Sequence, residues 1–353
     1  MPTTYLIAAG GTAGHVVPAL AVADALRTDG ARVIFIGGDR AEADLVPRAG
    51  YEFQQLSLEG LDRRNPLRAL RAVAKSFAAT VAAWKLIGRL RPAAVLGGGG
   101  YVAGPVGAAA VLRRVPLVLT EADSHFGLTN RLLARFACRV CLAFPIEGLS
   151  GVRYLVTGRP IPPPSTDRDA ARARFGLGAS DNVIVVVGGS LGARSINQAA
   201  IEAFAARPQL HVLHAAGERD LESLDQVPRG SSYQLFGFLD SFAEALLAAD
   251  LVVSRSGGSV FEIAAAGRPA ILVPYPHAAA DHQAGNARWM EQAGAAVVIP
   301  DEQLTAERLS SEVDRLLGDS TRLAAMAVAS ASIAKPDATL EVAAELRAAG
   351  GAR

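Results

Sequence analysis

The chain has 353 residues, half of them hydrophobic, so two domains of ordinary size can each bury a core. A formal net charge of +1 gives no global case for a nucleic-acid partner. No apolar run approaches the roughly 18 residues of a membrane span. Met1–Gly11 lacks the basic region of a signal peptide, so a cytosolic chain is expected.

Taken in order, short apolar runs alternate with amphipathic segments. Tyr5–Ala9, Val33–Ile36, Ala94–Leu96 and Leu117–Leu119 are expected as strands of a first half. Val183–Val187, His211–His214, Leu251–Ser254, Ala270–Val273 and Ala296–Ile299 are expected as strands of a second. Val/Ile/Leu runs without polar alternation fit parallel strands buried on both faces, with the intervening helices completing βαβ units. The cysteines, Cys138 and Cys141, lie where a helix runs into a buried strand and are expected to be reduced core thiols. A proline cluster at Gly158–Ser165 can join neither a helix nor a central strand. The expected plan is a domain over 1–158, a linker over 159–166 and a second domain over 167–353, closed by two or three helices after Leu304. The fold class is α/β: two Rossmann-like domains with parallel sheets, facing each other across a cleft.

Four glycine-rich turns fall at strand-to-helix junctions: Gly10–His15, Gly97–Gly107, Gly188–Ser195 and Ser256–Ser259. Glycine permits tight turns and close approach of a ligand, and helix starts offer unpaired N–H groups that suit phosphate. None matches a Walker motif, and Gly10-Gly-Thr-Ala-Gly14 lacks the dinucleotide register. In Ser254–Ala270 a strand end, a glycine turn and a helix follow one another, with Glu262 one turn into the helix. An ionised carboxylate there can accept from both hydroxyls of a ribose. It can equally be a first-turn acid that complements the helix dipole. Asp167-Arg-Asp169 has the form of a metal–diphosphate clamp, but it adjoins the prolines at a helix start, and no metal is expected.

The Ser254–Ala270 segment resembles the nucleotide-binding signature of GT-B glycosyltransferases. With Gly10–His15, Gly98–Pro105 and Gly189–Arg194, it resembles the MurG family across nearly the whole chain. That resemblance implies GT-B architecture and metal-independent, inverting transfer of N-acetylglucosamine from UDP-GlcNAc to the lipid I muramyl hydroxyl, giving lipid II for peptidoglycan. UDP-GlcNAc is then a substrate, and no cofactor is implied. It also implies His15 as the base at the acceptor cleft, a helix-start histidine kept neutral. Gly11, Gly99, Gly100, Tyr101 and Gly104 would line the acceptor site. Thr12, Ala13, Gly14, Ser190, Leu191, Gly192, Phe238, Ser256, Gly257, Gly258, Ser259, Glu262 and Gln283 would meet the donor.

Two positions depart from the family pattern. Asp123 stands where the family has a donor-sugar asparagine, and it can accept but not donate. Pro162 stands where the family has an arginine at the diphosphate, and Arg159 is expected to substitute from a shifted position.

From Arg63 to Arg91 there are eight basic residues and no acid. Leu67, Leu70, Ala74, Phe77, Val81 and Trp84 recur at helical steps beside Arg64, Arg68, Arg71, Lys75, Lys85 and Arg89. An apolar stripe with a basic flank suits an anionic bilayer, so peripheral attachment at the cytoplasmic face of the membrane is expected through residues 63–91. The same stripe could instead pack on the domain core. Three rival functions stay open: a glycolipid synthase of this fold, a UDP-GlcNAc 2-epimerase, and a non-catalytic UDP-sugar sensor.

Overall fold

The computed structural model describes residues 2–57, 66–189, 191–278 and 281–351, with the side chains of this set other than those of 66–73. The chain divides into two compact units, residues 1–162 with 337–353, and residues 163–336.

The first unit contains β1 (Thr4–Ala8), α1 (Ala13–Thr28), β2 (Arg32–Gly37), α2 (Ala41–Arg48), β3 (Glu52–Gln55), α3 (Pro66–Leu90) and β4 (Ala94–Gly97). It continues through α4 (Gly100–Leu112), β5 (Leu117–Glu121), α5 (Leu128–Leu133), β6 (Arg139–Leu142) and β7 (Tyr154–Val156). All seven strands run parallel in the order β3-β2-β1-β4-β5-β6-β7. Burial explains the unbroken apolar runs. Leu6 and Ala8 of β1 enter one core while Tyr5 and Ile7 enter the other, and β2 divides in the same way. Each Leu, Ile, Val or Phe side chain so withdrawn from water contributes about 1.5–3 kcal/mol.

The second unit holds α6 (Arg168–Arg174), β8 (Asn182–Val187), α7 (Arg194–Phe204), β9 (Leu210–Ala215), α8 (Glu218–Asp225), β10 (Tyr233–Phe236) and α9 (Phe242–Ala248). There follow β11 (Leu251–Ser254), α10 (Ser259–Ala265), β12 (Ala270–Leu272), α11 (His282–Gln292), β13 (Ala296–Val298), α12 (Ala306–Leu317) and α13 (Ser320–Ser332). Its parallel sheet runs β10-β9-β8-β11-β12-β13.

The last helix, α14 (Ala338–Gly351), departs from the expected 167–353 domain. Its Val342, Ala343, Leu346 and Ala349 join the first unit's core beside Val16, Val22 and Leu26 of α1, so its apolar face is buried there. Arg159–Pro162, expected as linker, also belong to the first unit. Cys141 is buried in β6, and burial pushes its thiol up to about 12. Cys138 is exposed, which corrects the expectation of two core thiols.

The apolar residues of α3 divide between two faces. Ala79, Ala83, Leu86 and Ile87 face the core, whereas Phe77 (73% exposed), Val81 and Trp84 lie on the outside. The described part of the predicted stripe is therefore not the core-packing face. Arg63 and Arg64 lie outside the described residues, as do the side chains of Leu67, Arg68, Leu70 and Arg71.

Candidate functional site

Each sheet reverses its winding once, between β1 and β4 in the first unit and between β8 and β11 in the second. Open parallel sheets bind ligands beyond the strand ends at such switch points. All four glycine turns of the sequence emerge there: after β1, β4, β8 and β11.

In the first unit, Gly11, Gly99 and Gly100 adopt φ of 103°, 95° and 74°. A Cβ on Gly100 would lie 1.9 Å from the Gly10 carbonyl oxygen, so the glycines let two loops touch. His15, two residues into α1, is half-buried. Its Nδ1 stands 3.4 Å from Thr12 Oγ1, and its ring lies where a side chain on Gly99 would have to go. Thr12 and Gly14 are exposed and Ala13 is half-buried at the start of the same helix. Gly104 faces Thr129.

Tyr101, expected to line the acceptor site, commits its hydroxyl inward. It donates to Glu42 Oε1 at 2.8 Å, while the Arg40 guanidinium lies 4.8 Å from its ring centre. Glu42, a residue the sequence did not single out, is fully buried in α2. It also accepts from Gly11 N at 2.8 Å and Gly38 N at 2.9 Å. Burial raises its pKa, but the bonds from Gly11, its own backbone, Tyr101 and Gly38 outweigh this and hold it below the usual carboxylate range. Burial first, then the Glu42 bond and charge, push the Tyr101 phenol up.

At the end of β5, Glu121 accepts from Gly127 N and Asn130 Nδ2, both at 2.9 Å, and shapes the loop that presents half-buried Asp123. Burial, with Asp123's charge adding, raises the Glu121 pKa against those bonds. Arg159, expected at the donor diphosphate, is buried and donates to the carbonyls of Gly14 and Ala122. It braces the start of α1 against the loop of Asp123.

In the second unit, Gly189 and Gly192 have φ of 91° and 72°. A Cβ on Gly192 would lie 2.0 Å from the Ala216 oxygen, again a packing demand. Ser190 lies outside the described residues. Leu191 beside it is 76% exposed. Phe238, past β10, is 58% exposed, so it is not a core residue.

The turn after β11 differs. Gly257 is outside the left-handed region, and among the described residues a Cβ there would meet only Gln283 Nε2, at 3.9 Å. Gly258 is helical, with φ −63° and ψ −21°. Neither packing among the described residues nor a left-handed backbone therefore requires glycine at Gly257, which leaves open space beside the turn. Gln283 Oε1 accepts from Tyr275 N, Ser256 Oγ donates to the Gln283 carbonyl, and Asn286 Nδ2 donates to the Ser256 carbonyl. These bonds fasten α11 to the turn.

Arg255, also missed by sequence reasoning, donates to Asp301 Oδ1 at 2.6 Å and Ser195 Oγ at 2.9 Å. It ties the starts of α7 and α10 to the end of β13. Glu262 and Ser259 lie on the first turn of α10, with Glu262 half-buried. Asp167, of the D-x-D motif, is the N-cap of α6 and accepts from Ala170 N.

Residues 5–142 match the glycosyltransferase family 28 N-terminal domain, and 183–342 match the family 28 C-terminal domain. A Moorella thermoacetica protein is 42% identical over 94% of this chain and 95% of its own length. A Salinibacter ruber protein is 40% identical over 97% and 96%. Both are named UDP-N-acetylglucosamine--N-acetylmuramyl-(pentapeptide) pyrophosphoryl-undecaprenol N-acetylglucosamine transferase. The crystal structure of Acinetobacter baumannii MurG superimposes with a TM-score of 0.79 at 31% identity, covering 98% of this chain and 100% of that one.

Proposed function

The chain belongs to the MurG group of glycosyltransferase family 28, and from that membership we propose that it transfers N-acetylglucosamine from UDP-GlcNAc to the muramyl 4-hydroxyl of undecaprenyl-pyrophosphoryl-MurNAc-pentapeptide, lipid I to lipid II. Full-length relatives named for this reaction support it over the epimerase, glycolipid-synthase and sensor readings. The structural observation that supports this donor site is Gly257, whose open face neither packing among the described residues nor a left-handed backbone explains.

In this reading Glu262 accepts from the ribose hydroxyls, and Phe238 stands on the uracil side. The diphosphate lies against the turn Ser256–Ser259 and the loop of Ser190, Leu191 and Gly192, where helix starts stabilise the charge that grows as UDP departs. Gln283 offers amide hydrogens to sugar or phosphate. Arg159 supports the first unit's loops through the Gly14 and Ala122 carbonyls. His15 takes the proton of the acceptor hydroxyl as that oxygen attacks the anomeric carbon and UDP leaves.

Among the described residues, no helix is long and apolar enough to cross a membrane. Peripheral attachment is supported by the exposed Phe77, Val81 and Trp84 of α3 with Lys85, and by exposed Leu128, Leu132 and Phe136 near Arg131 and Arg135. Apolar insertion beside basic side chains suits an anionic bilayer.

The deciding experiment supplies UDP-GlcNAc and a short-chain lipid I analogue to the purified protein. Transfer of GlcNAc with acceptor-dependent UDP release is expected. Binding of UDP-GlcNAc without transfer, or UDP release with no acceptor, overturns the assignment.

A further inference from the structure

Glu42 is a fully buried carboxylate to which the transfer chemistry assigns no role. Burying a charge costs several kcal/mol unless it is paired or hydrogen-bonded. The donors that compensate Glu42 are specific. Gly11 N belongs to the loop after β1, Gly38 N to the loop after β2, and the Tyr101 hydroxyl to the first turn of α4. Three loops at the carboxyl end of the first sheet therefore converge on one anion.

The neighbouring glycines show how closely the loops are fitted around it. A Cβ on Gly10 would lie 2.7 Å from the Glu42 carboxyl carbon, and one on Gly37 would lie 2.5 Å from its Cγ. On the far side of the same loops, Gly100 abuts the Gly10 carbonyl, and Gly99 lies under the His15 ring. Glu42 thus holds both loops that flank His15, one through Gly11 and the other through Tyr101. Because the Gly11 N–H is already engaged, this loop is not a vacant phosphate cradle at Gly11. Its anion is internal and permanent.

We propose that Glu42 is a positioning residue for the acceptor side of the transfer reaction, an internal anion that fixes the loops after β1, β2 and β4 and thereby the placement of His15. The proposal rests on the transferase reading for its kinetic consequence, but not for its structural one. An error of about 1 Å in a reacting group can cost a hundredfold in rate. An amide at position 42 keeps the shape of the side chain, but it offers one acceptor oxygen where three donors need two, and turns an NH2 group toward donors.

The test compares wild type, Glu42→Gln and Tyr101→Phe by three measurements. These are amide hydrogen exchange over residues 8–14 and 36–40, UDP affinity by calorimetry, and kcat and KM for a lipid I analogue. For E42Q we expect faster exchange in both segments, kcat lowered about tenfold or more, and UDP affinity within about twofold of wild type, since the UDP contacts of the second unit are untouched. Y101F leaves two of the three donors and is expected to change exchange and kcat in the same direction by less. It is the deciding variant should E42Q not fold. Exchange and kcat equal to wild type in the folded variant overturn the proposal. So does a loss of UDP affinity that matches the loss of kcat, which would mark general destabilisation. Absence of transfer by wild type defeats the transferase reading alone, and the exchange measurement still decides the role of Glu42.

Discussion

Gln283 Oε1 accepts a hydrogen bond from the backbone N–H of Tyr275 at 3.0 Å, and this fixes which end of the amide faces Gly257. A backbone N–H can only donate, so the oxygen is turned to Tyr275 and the NH2 group to the open side of the turn. Gln283 therefore presents donors only, as suits phosphate or sugar oxygens. Gln283→Glu keeps the Tyr275 bond and replaces the NH2 by a second carboxylate oxygen facing the diphosphate. UDP-GlcNAc affinity measured by calorimetry is expected to fall at least about tenfold, a loss of about 1.4 kcal/mol. Unchanged affinity would remove Gln283 from the donor site.

Gly257 and Gly100 separate a glycine in open space from a packing glycine. Gly257→Ala meets no close atom among the described residues and needs no left-handed backbone, so folding stability should be unchanged or raised by about 0.4–1 kcal/mol. The new methyl group enters the space assigned to the diphosphate, and UDP affinity should drop. Gly100→Ala drives a Cβ into the Gly10 carbonyl at a φ of 74°, and should lower the melting temperature instead. Thermal unfolding alongside UDP titration of both variants checks the pair. A destabilised Gly257→Ala with normal UDP binding would contradict the assignment.

For Glu262 the two readings predict different couplings. A ribose-binding carboxylate loses its worth when the 2′-hydroxyl is removed, whereas a helix-dipole acid does not respond to the ligand. Wild type should bind 2′-deoxy-UDP more weakly than UDP, and Glu262→Ala should bind both alike. A double-mutant cycle with a coupling of about 1 kcal/mol or more supports ribose contact. Additivity refutes it.

Much of this site was legible in the sequence because switch-point loops combine a continuous apolar strand with glycines, and both signals are local. The edge strands β3 and β7 were not predicted, β3 because Glu52, Gln54 and Gln55 break the apolar run and β7 because its Tyr-Leu-Val run is only three residues long. The assignment of α14 failed because an apolar helical face does not say which sheet it covers. Glu42 resembles any first-turn acid of a short helix. Its meaning depends on Gly11 and Tyr101, which lie 31 and 59 residues away. Arg255 depends likewise on Ser195 at the start of α7 and Asp301 after β13, 60 and 46 residues away. Arg159 was read against an expected arginine position, and its burial against the Gly14 and Ala122 carbonyls is a contact that sequence spacing does not reveal.

The outward face of α3 makes a prediction about surfaces. Phe77→Ser and Trp84→Ser together should weaken sedimentation with phosphatidylglycerol vesicles. They should leave turnover of a water-soluble acceptor analogue near the wild-type value, because neither side chain is among the core-facing residues of α3. Binding should also fall with rising salt, as expected where basic side chains meet an anionic surface. Vesicle binding unaffected by both substitutions would remove α3 from the attachment surface.

A buried histidine in the second unit sets an acid limit on stability. His214 is fully buried, with Nδ1 2.7 Å from Tyr233 Oη and Nε2 3.1 Å from Asn197 Oδ1. Asn197 Nδ2 donates to the Ala216 carbonyl and to Asp220, so its Oδ1 must accept, and His214 carries its proton on Nε2. Burial lowers the His214 pKa from 6.5 to about 4. In the window between those values the unfolded chain binds a proton that the folded chain refuses. Stability therefore rises with pH across the window, and falls as pH drops through it, by up to about 1.4 kcal/mol per pH unit. His214→Phe should flatten this dependence. It should also lower stability at neutral pH, because Tyr233 and Asn197 each lose a buried partner. Urea unfolding of both proteins between pH 4 and 7 provides the check, and an equal pH slope in the two would show that His214 is not the titrating group.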